Sequence, residues 1–232
     1  MSFSTTKSVF WKGVREGAPF IVVAIPFSML FGVVATEAGL NVAEVMGFSV
    51  LVIAGAAQFA ALHLMQENAP TIVVLATALA VNLRMAMYSA SLTPHLGGAG
   101  FWQRALVAYF NVDQSYAMAM IEYEKNPQRS VTDKVAYFLG VVTPVAIAWY
   151  SFSLVGALVG SSIPGDIGLD FALPITFLAL IGPMLKTLPH VFAAATSIIV
   201  ALVLSGLPYG TGLLMAGLAA MIVGAEAERR LS

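Results

Sequence analysis

The run from Thr71 to Leu92 is apolar apart from a few small polar residues and one charge, Arg84. A helix needs about 20 mostly apolar residues to cross a hydrocarbon core about 30 Å thick, and an unpaired backbone donor or acceptor there costs several kcal/mol. A chain dominated by such runs is read as a set of transmembrane helices. Seven further runs recur: Ala18 to Ala35, Val45 to Met65, Ala105 to Ile121, Val135 to Val159, Phe171 to Leu185, Val191 to Leu207 and Tyr209 to Ala225. The expected fold class is therefore all-α, a polytopic membrane protein of about eight transmembrane helices. Residues 1–232 are read as one transmembrane transporter domain, with the lipid bilayer as its solvent.

Composition removes other classes. With 59% hydrophobic and 10% charged residues, no stretch suits a soluble domain. A net charge of -1 argues against nucleic acid, which requires a surplus of Lys and Arg on one face, so no nucleic-acid partner is expected. There is no cysteine, and His63, His95 and His190 lie far apart without ligand-like spacing. Neither a metal nor another cofactor is expected. The polar start, with Lys7, Lys12 and Arg15, precedes an apolar run too long for a signal peptide, so that run reads as a retained first helix.

Charge asymmetry tests the count, because Lys and Arg accumulate on cytoplasmic flanks. With an inner N-terminus, eight spans put Lys7, Lys12, Arg15, Lys125, Arg129, Lys134, Lys186, Arg229 and Arg230 on the cytoplasmic side. Arg104 then sits at an outer helix end and Arg84 within a span. Dropping the fourth span, or fusing the sixth and seventh, would move a basic cluster outside. Both termini are therefore expected on the cytoplasmic side of a cytoplasmic (inner) membrane.

Two spans carry helix breakers. The first contains Pro19, Pro26 and Gly32, and the sixth contains Pro174, Gly182 and Pro183. Proline removes a backbone donor, which lipid tolerates only where protein or a watery cavity re-satisfies the backbone. Broken helices in corresponding positions point to a transporter binding site, here with two inverted three-helix repeats. Two ordinary proline kinks are the competing reading. Pro26 in the first span and Thr176 in the sixth accordingly join the candidate site.

Placing Arg84 in mid-span costs about 2.5 to 3.5 kcal/mol. Asp113 lies at the centre of the fourth span, and the two helices are expected to be antiparallel neighbours, so the charges are expected to pair. Asn82, Asn111, Gln114 and Tyr116 lie nearby in sequence and could supply the remaining hydrogen bonds. Such a pair can lock two helices together, or it can hold a zwitterion, with Arg84 on a carboxylate and Asp113 on an ammonium or a coupling proton. Gln58, in "AGAAQFAAL", suits either close helix packing or a pore lining.

The segments "AGAAQF", "NLRMAMYSASLTP", "VDQSYA" and "LDFALPITFLALIGP", in this order, resemble the AzlC family of branched-chain amino acid exporters. The resemblance implies a permease that exports valine, leucine, isoleucine and sometimes methionine, driven by the proton gradient. It also implies a separately encoded small hydrophobic subunit of the AzlD type. It points to Gln58, Asn82, Arg84 and Asp113 as functional positions. Where the family often has His after Leu-Arg and Glu after Asp, this chain has Met85 and Gln114, which removes a titratable neighbour from each helix. The expected activity is transport rather than catalysis, since the chain has no H-E-x-x-H or serine-nucleophile motif. A passive channel and a non-transporting scaffold are the rival readings.

Overall fold

The computed structural model describes residues 5–160, 185, 187–207 and 211–231, and all regular elements among them are helical. The chain is an all-α polytopic membrane protein. It divides into two compact units, Met1–Phe59 with Val81–Pro164 and Ala60–Ala80 with Gly165–Ser232.

The chain begins with α1 (Thr6–Gly17), whose first turn is capped by the Thr5 hydroxyl accepting from the Ser8 N–H. A 3₁₀ turn, Ala18–Phe20, follows at Pro19 and leads into α2 (Ile21–Glu37). Pro26 lies inside α2 without ending it. The interruption expected in the first helix is thus one tight turn in a path of 32 residues. The sixth run, with Pro174, Thr176, Gly182 and Pro183, lies outside the described residues.

The second and fourth runs are cut open instead. In the second, α3 (Val42–Leu51) stops, Val52 to Ala54 are non-helical, and α4 (Gly55–Gln66) resumes. In the fourth, α6 (Phe101–Tyr109) stops before Phe110 to Val112, and α7 (Asp113–Lys125) resumes. The two are alike in plan, with pieces of 10 and 12 residues in one and 9 and 13 in the other. Neither break contains a proline. Instead the freed backbone finds side chains, as membrane burial demands. The Ser115 hydroxyl accepts from the Val112 N–H and lies within hydrogen-bonding distance of the Phe110 carbonyl, while Tyr109 donates to the Val50 carbonyl at 2.6 Å. That last bond joins one break to the other. Gly55 matters at the first break because a Cβ there would strike the rings of Phe27 and Trp149.

Three helices are unbroken and long: α5 (Thr71–Leu96), α8 (Val131–Gly160) and α10 (Thr211–Leu231). With the Thr6–Glu37 path they are the four helices among the described residues that are long and apolar enough to cross a membrane. The shorter α9 (Leu188–Val203) packs on α10 in the second unit, where a Cβ on Gly212 would meet the Leu204 carbonyl.

In the first unit, α1 and α2 lie along the whole of α8 at backbone contact. A Cβ on Gly13 would run into the Tyr137 carbonyl, on Gly17 into that of Val141, on Gly32 into that of Ser153, and on Gly156 into that of Met29. Residue numbers rise together on both sides, so the two helices run parallel, as the first and fifth spans must if three others intervene. Helices in lipid gain little from hydrophobic burial and associate through such close packing of small residues.

One end of this seam is held by charge. Glu122 on α7 is 4% exposed, accepts from Lys12 Nζ at 2.6 Å, and lies 3.0 Å from an Arg129 nitrogen. Tyr137 donates to Glu16 on α1. Burial, with the adjacent Glu122 carboxylate, raises the Tyr123 hydroxyl well above its ordinary value, so it stays protonated and donates to the Lys134 carbonyl. Glu122→Gln is expected to destabilise the protein by about 3 kcal/mol, because it leaves Lys12 and Arg129 facing each other without their shared counter-charge. A lowered melting temperature in detergent, with unchanged helical circular dichroism below it, is the measurement.

Candidate functional site

Asp113 is the first residue of α7, so its carboxylate sits at the positive end of a half-helix that starts inside the chain's fourth apolar run. A carboxylate in the first turn is favoured there by about 0.3 to 1 kcal/mol. Arg84 projects from mid-α5, and its Nη1 lies 3.0 Å from Asp113 Oδ2. The side chains are 34% and 45% exposed, so the pair is reachable rather than sealed.

The surrounding polar groups form a ladder between α5 and the α6–α7 break. Tyr88, one turn beyond Arg84, donates to Asp113 Oδ1 at 2.9 Å. Its ring stacks on Tyr116 with centroids 4.1 Å apart and planes 8° from parallel, and Tyr116 in turn donates to the Ser91 hydroxyl at 3.0 Å. Asn111, within the break, donates its amide to the Met85 carbonyl at 3.3 Å and to the Ser89 hydroxyl at 3.2 Å.

Sequence reasoning named Asn82, Asn111, Gln114 and Tyr116 as supporters of the ion pair, yet the hydrogen bond to Asp113 comes from Tyr88. The signal was available: Tyr88 stands four residues after Arg84, hence on the same helical face. Tyr116 acts only at one remove, through its stack. Gln114 is half-buried on the next position of α7, and Asn82 lies one turn before Met85. Gln58 is fully buried on α4, where its amide donates to Ser49 at 3.4 Å, and Pro26 is exposed on α2. Neither bonds to the ladder.

Three buried polar atoms, two on the ladder and one on Asn82 earlier along α5, are unsatisfied. Arg84 Nε, Asn82 Oδ1 and Asn111 Oδ1 are buried and have no partner among the described residues. A buried donor or acceptor left unpaired costs about 1 to 3 kcal/mol, so each of these atoms calls for a partner that the described residues do not supply. Next to it, a cavity of about 210 Å³ is lined by Ser89, Leu92, Thr93, Leu96, Arg104 and Val107. Ser89 belongs to both, so the hollow, lined by Arg104 and Thr93 as well as by apolar side chains, adjoins the ladder.

Tyr88→Phe is expected to lower the apparent affinity for a zwitterionic ligand at least about tenfold while leaving the Arg84–Asp113 pair in place, a hydrogen bond to a charged group being worth about 1.5 to 3 kcal/mol. A shift in half-saturation without a shift in melting temperature is the signature.

Residues 19–163 match the family model described as AzlC protein, a span that includes both broken helices and the whole ladder. The chain is similar to the inner membrane protein YgaZ of Escherichia coli K12, 24% identical over 180 residues, which is 75% of this chain and 72% of the relative. An uncharacterized membrane protein of Archaeoglobus fulgidus is 29% identical over 211 residues, 86% of each chain. A further uncharacterized membrane protein, from Helicobacter pylori, is 26% identical over 207 residues, 87% of this chain and 88% of its own. No solved structure matches.

Proposed function

Because this chain belongs to the AzlC family, we propose that it is a secondary transporter that exports small neutral, branched-chain amino acids across the cytoplasmic membrane by alternating access. The observation that carries this reading is the Arg84–Asp113 pair with its open neighbours. A zwitterion carries both kinds of partner. Its carboxylate takes the Arg84 guanidinium, including the free Nε, and its ammonium takes Asp113, with the Asn111 carboxamide oxygen nearby in the break. The aliphatic side chain enters the hollow between Leu92, Leu96 and Val107. Apolar walls of this kind separate homologous side chains by only about 1 to 3 kcal/mol per methylene, so valine, leucine, isoleucine and methionine would all be carried.

Asp113 is also the group on this ladder able to take the coupling proton, since Met85 and Gln114 do not titrate. Gln58, Gln114 and Pro26 remain in the wider candidate set, as does Thr176, which lies outside the described residues. In this reading a small AzlD-like membrane subunit completes the carrier, and the basic flanks support a cytoplasmic position for both termini. In this reading no bond is made or broken, and the chain acts as a carrier rather than an enzyme.

Counterflow of radiolabelled leucine in proteoliposomes, with and without the small subunit, tests the reading. Accumulation of label against its gradient, increased by an imposed pH gradient, is the expected result. Equilibration without accumulation would make it a passive channel. No flux in either preparation would make it a scaffold.

A further inference from the structure

The break between α3 and α4 has no carboxylate. On these helices the acidic residues are Glu44, which closes the capping box at Asn41, and Glu67, beyond the end of α4. What the break does have is oxygen. Ser49 and Gln58 are each 0% exposed, and their contact at 3.4 Å holds the Gln58 carboxamide against the last turn of α3. Gln58 Oε1 is buried with no partner among the described residues. The last turn of a helix also leaves carbonyls without intrahelical donors. Val52 N–H still reaches Phe48, and Tyr109 takes the Val50 carbonyl. No backbone bond among the described residues is accepted by the carbonyl of Ser49 or Leu51.

We infer that this break is a binding site for a monovalent inorganic cation, held by Gln58 Oε1, the Ser49 hydroxyl and the terminal carbonyls of α3. The C-terminal end of α3 carries the equivalent of about half a negative charge, and Gln58 is fixed to that end by Ser49, so the local field favours a cation. Unwound carbonyls and half-helix C-termini at mid-membrane coordinate such ions in other carriers. A cage of neutral oxygens suits a single charge, whereas divalent cations of the calcium type draw carboxylates into their shell.

The site is separate from the Arg84–Asp113 ladder but tied to it. Tyr109, at the end of α6, bonds the Val50 carbonyl, and its hydroxyl lies 2.8 Å from that of Tyr150 on α8. Occupancy at the first break therefore bears on the geometry of the second. Trp149 Nε1, on the same helix, is a buried donor without a partner among the described residues, and its ring flanks Gly55. A water in the ion's shell would accept from it.

This inference does not rest on the transport reading, because binding can be measured with no substrate present. The melting temperature of the purified full-length chain in detergent is followed at constant ionic strength as choline chloride is replaced by sodium or potassium chloride. A saturable rise with one of these ions is expected, absent in Gln58→Leu and retained in Arg84→Gln. Ser49→Ala, which keeps the break but loses one ligand, is expected to raise the half-saturating concentration about tenfold, and it serves if Gln58→Leu does not fold. Equal melting of the wild type in the three salts, which is what a water alone would give, overturns the proposal. So does an undiminished shift in Gln58→Leu, or an unchanged half-saturation in Ser49→Ala.

Discussion

Arg84→Gln and Asp113→Asn are each expected to lower leucine efflux from proteoliposomes by at least about a hundredfold. Removing one member of a hydrogen-bonded charge pair costs roughly 2 to 5 kcal/mol in binding, and 2.7 kcal/mol is about two orders of magnitude in affinity. Each single variant also leaves one charge without its counterpart 3.0 Å away, so a lesser loss of stability accompanies it. The double variant separates the two effects. With both charges gone, no group is stranded, and the melting temperature is expected to return towards wild type. Efflux is expected to stay abolished, because the substrate's carboxylate and ammonium have lost both partners. Recovery of efflux in the double variant would show that the pair only fastens α5 to α7. In that case Tyr88 and Asn111 would be fasteners as well, since their bonds reach the same two elements.

The second large effect is structural. Gly156→Val is expected to destabilise the first unit by about 3 kcal/mol or more, since its Cβ would occupy the space of the Met29 backbone. A clash with backbone cannot be relieved by turning a side chain. The whole helix must move off, and the packing of small residues on which intramembrane association depends is lost along its length. Loss of a monodisperse peak in size-exclusion chromatography, and a lower melting temperature, are the expected outcomes. Gly47→Ala is the control, because nothing lies within 4 Å of a Cβ at that position. A Gly156→Val protein as stable as that control would mean that α2 and α8 are not in backbone contact. The same reasoning covers Gly13, Gly17 and Gly32, which face carbonyls of α8 in the same way.

Much of this was legible in the residues. Hydropathy is a local, additive property, so the apolar runs correspond to helical stretches: α2, α5, α8, α9 and α10 fall where the runs fall, whereas α1 lies in the polar start that precedes the first run. The cost of a buried guanidinium singled out Arg84 before any neighbour was known, and Asp113 was the nearest carboxylate on an adjoining run. The positions of the breaks were not legible. Prolines directed attention to the first span, where Pro19 produces one tight turn and Pro26 stays inside α2. The open breaks fall at Val52 to Ala54 and Phe110 to Val112, in sequences with no strong breaker.

The difference has a physical origin. Span length, helical character and the presence of one costly charge follow from the transfer energies of successive side chains, which each residue carries by itself, and these the sequence alone determined. A helix can open inside a membrane without proline only where something else satisfies its freed carbonyls and amides. Here that is Tyr109 reaching Val50 from another element, and Ser115 folding back on Phe110 and Val112. Those partners, like Tyr88 on Asp113 and the glycine seam along α8, exist only once distant segments meet. The tertiary structure therefore decided where the helices break, and with that which polar atoms were left open for a ligand.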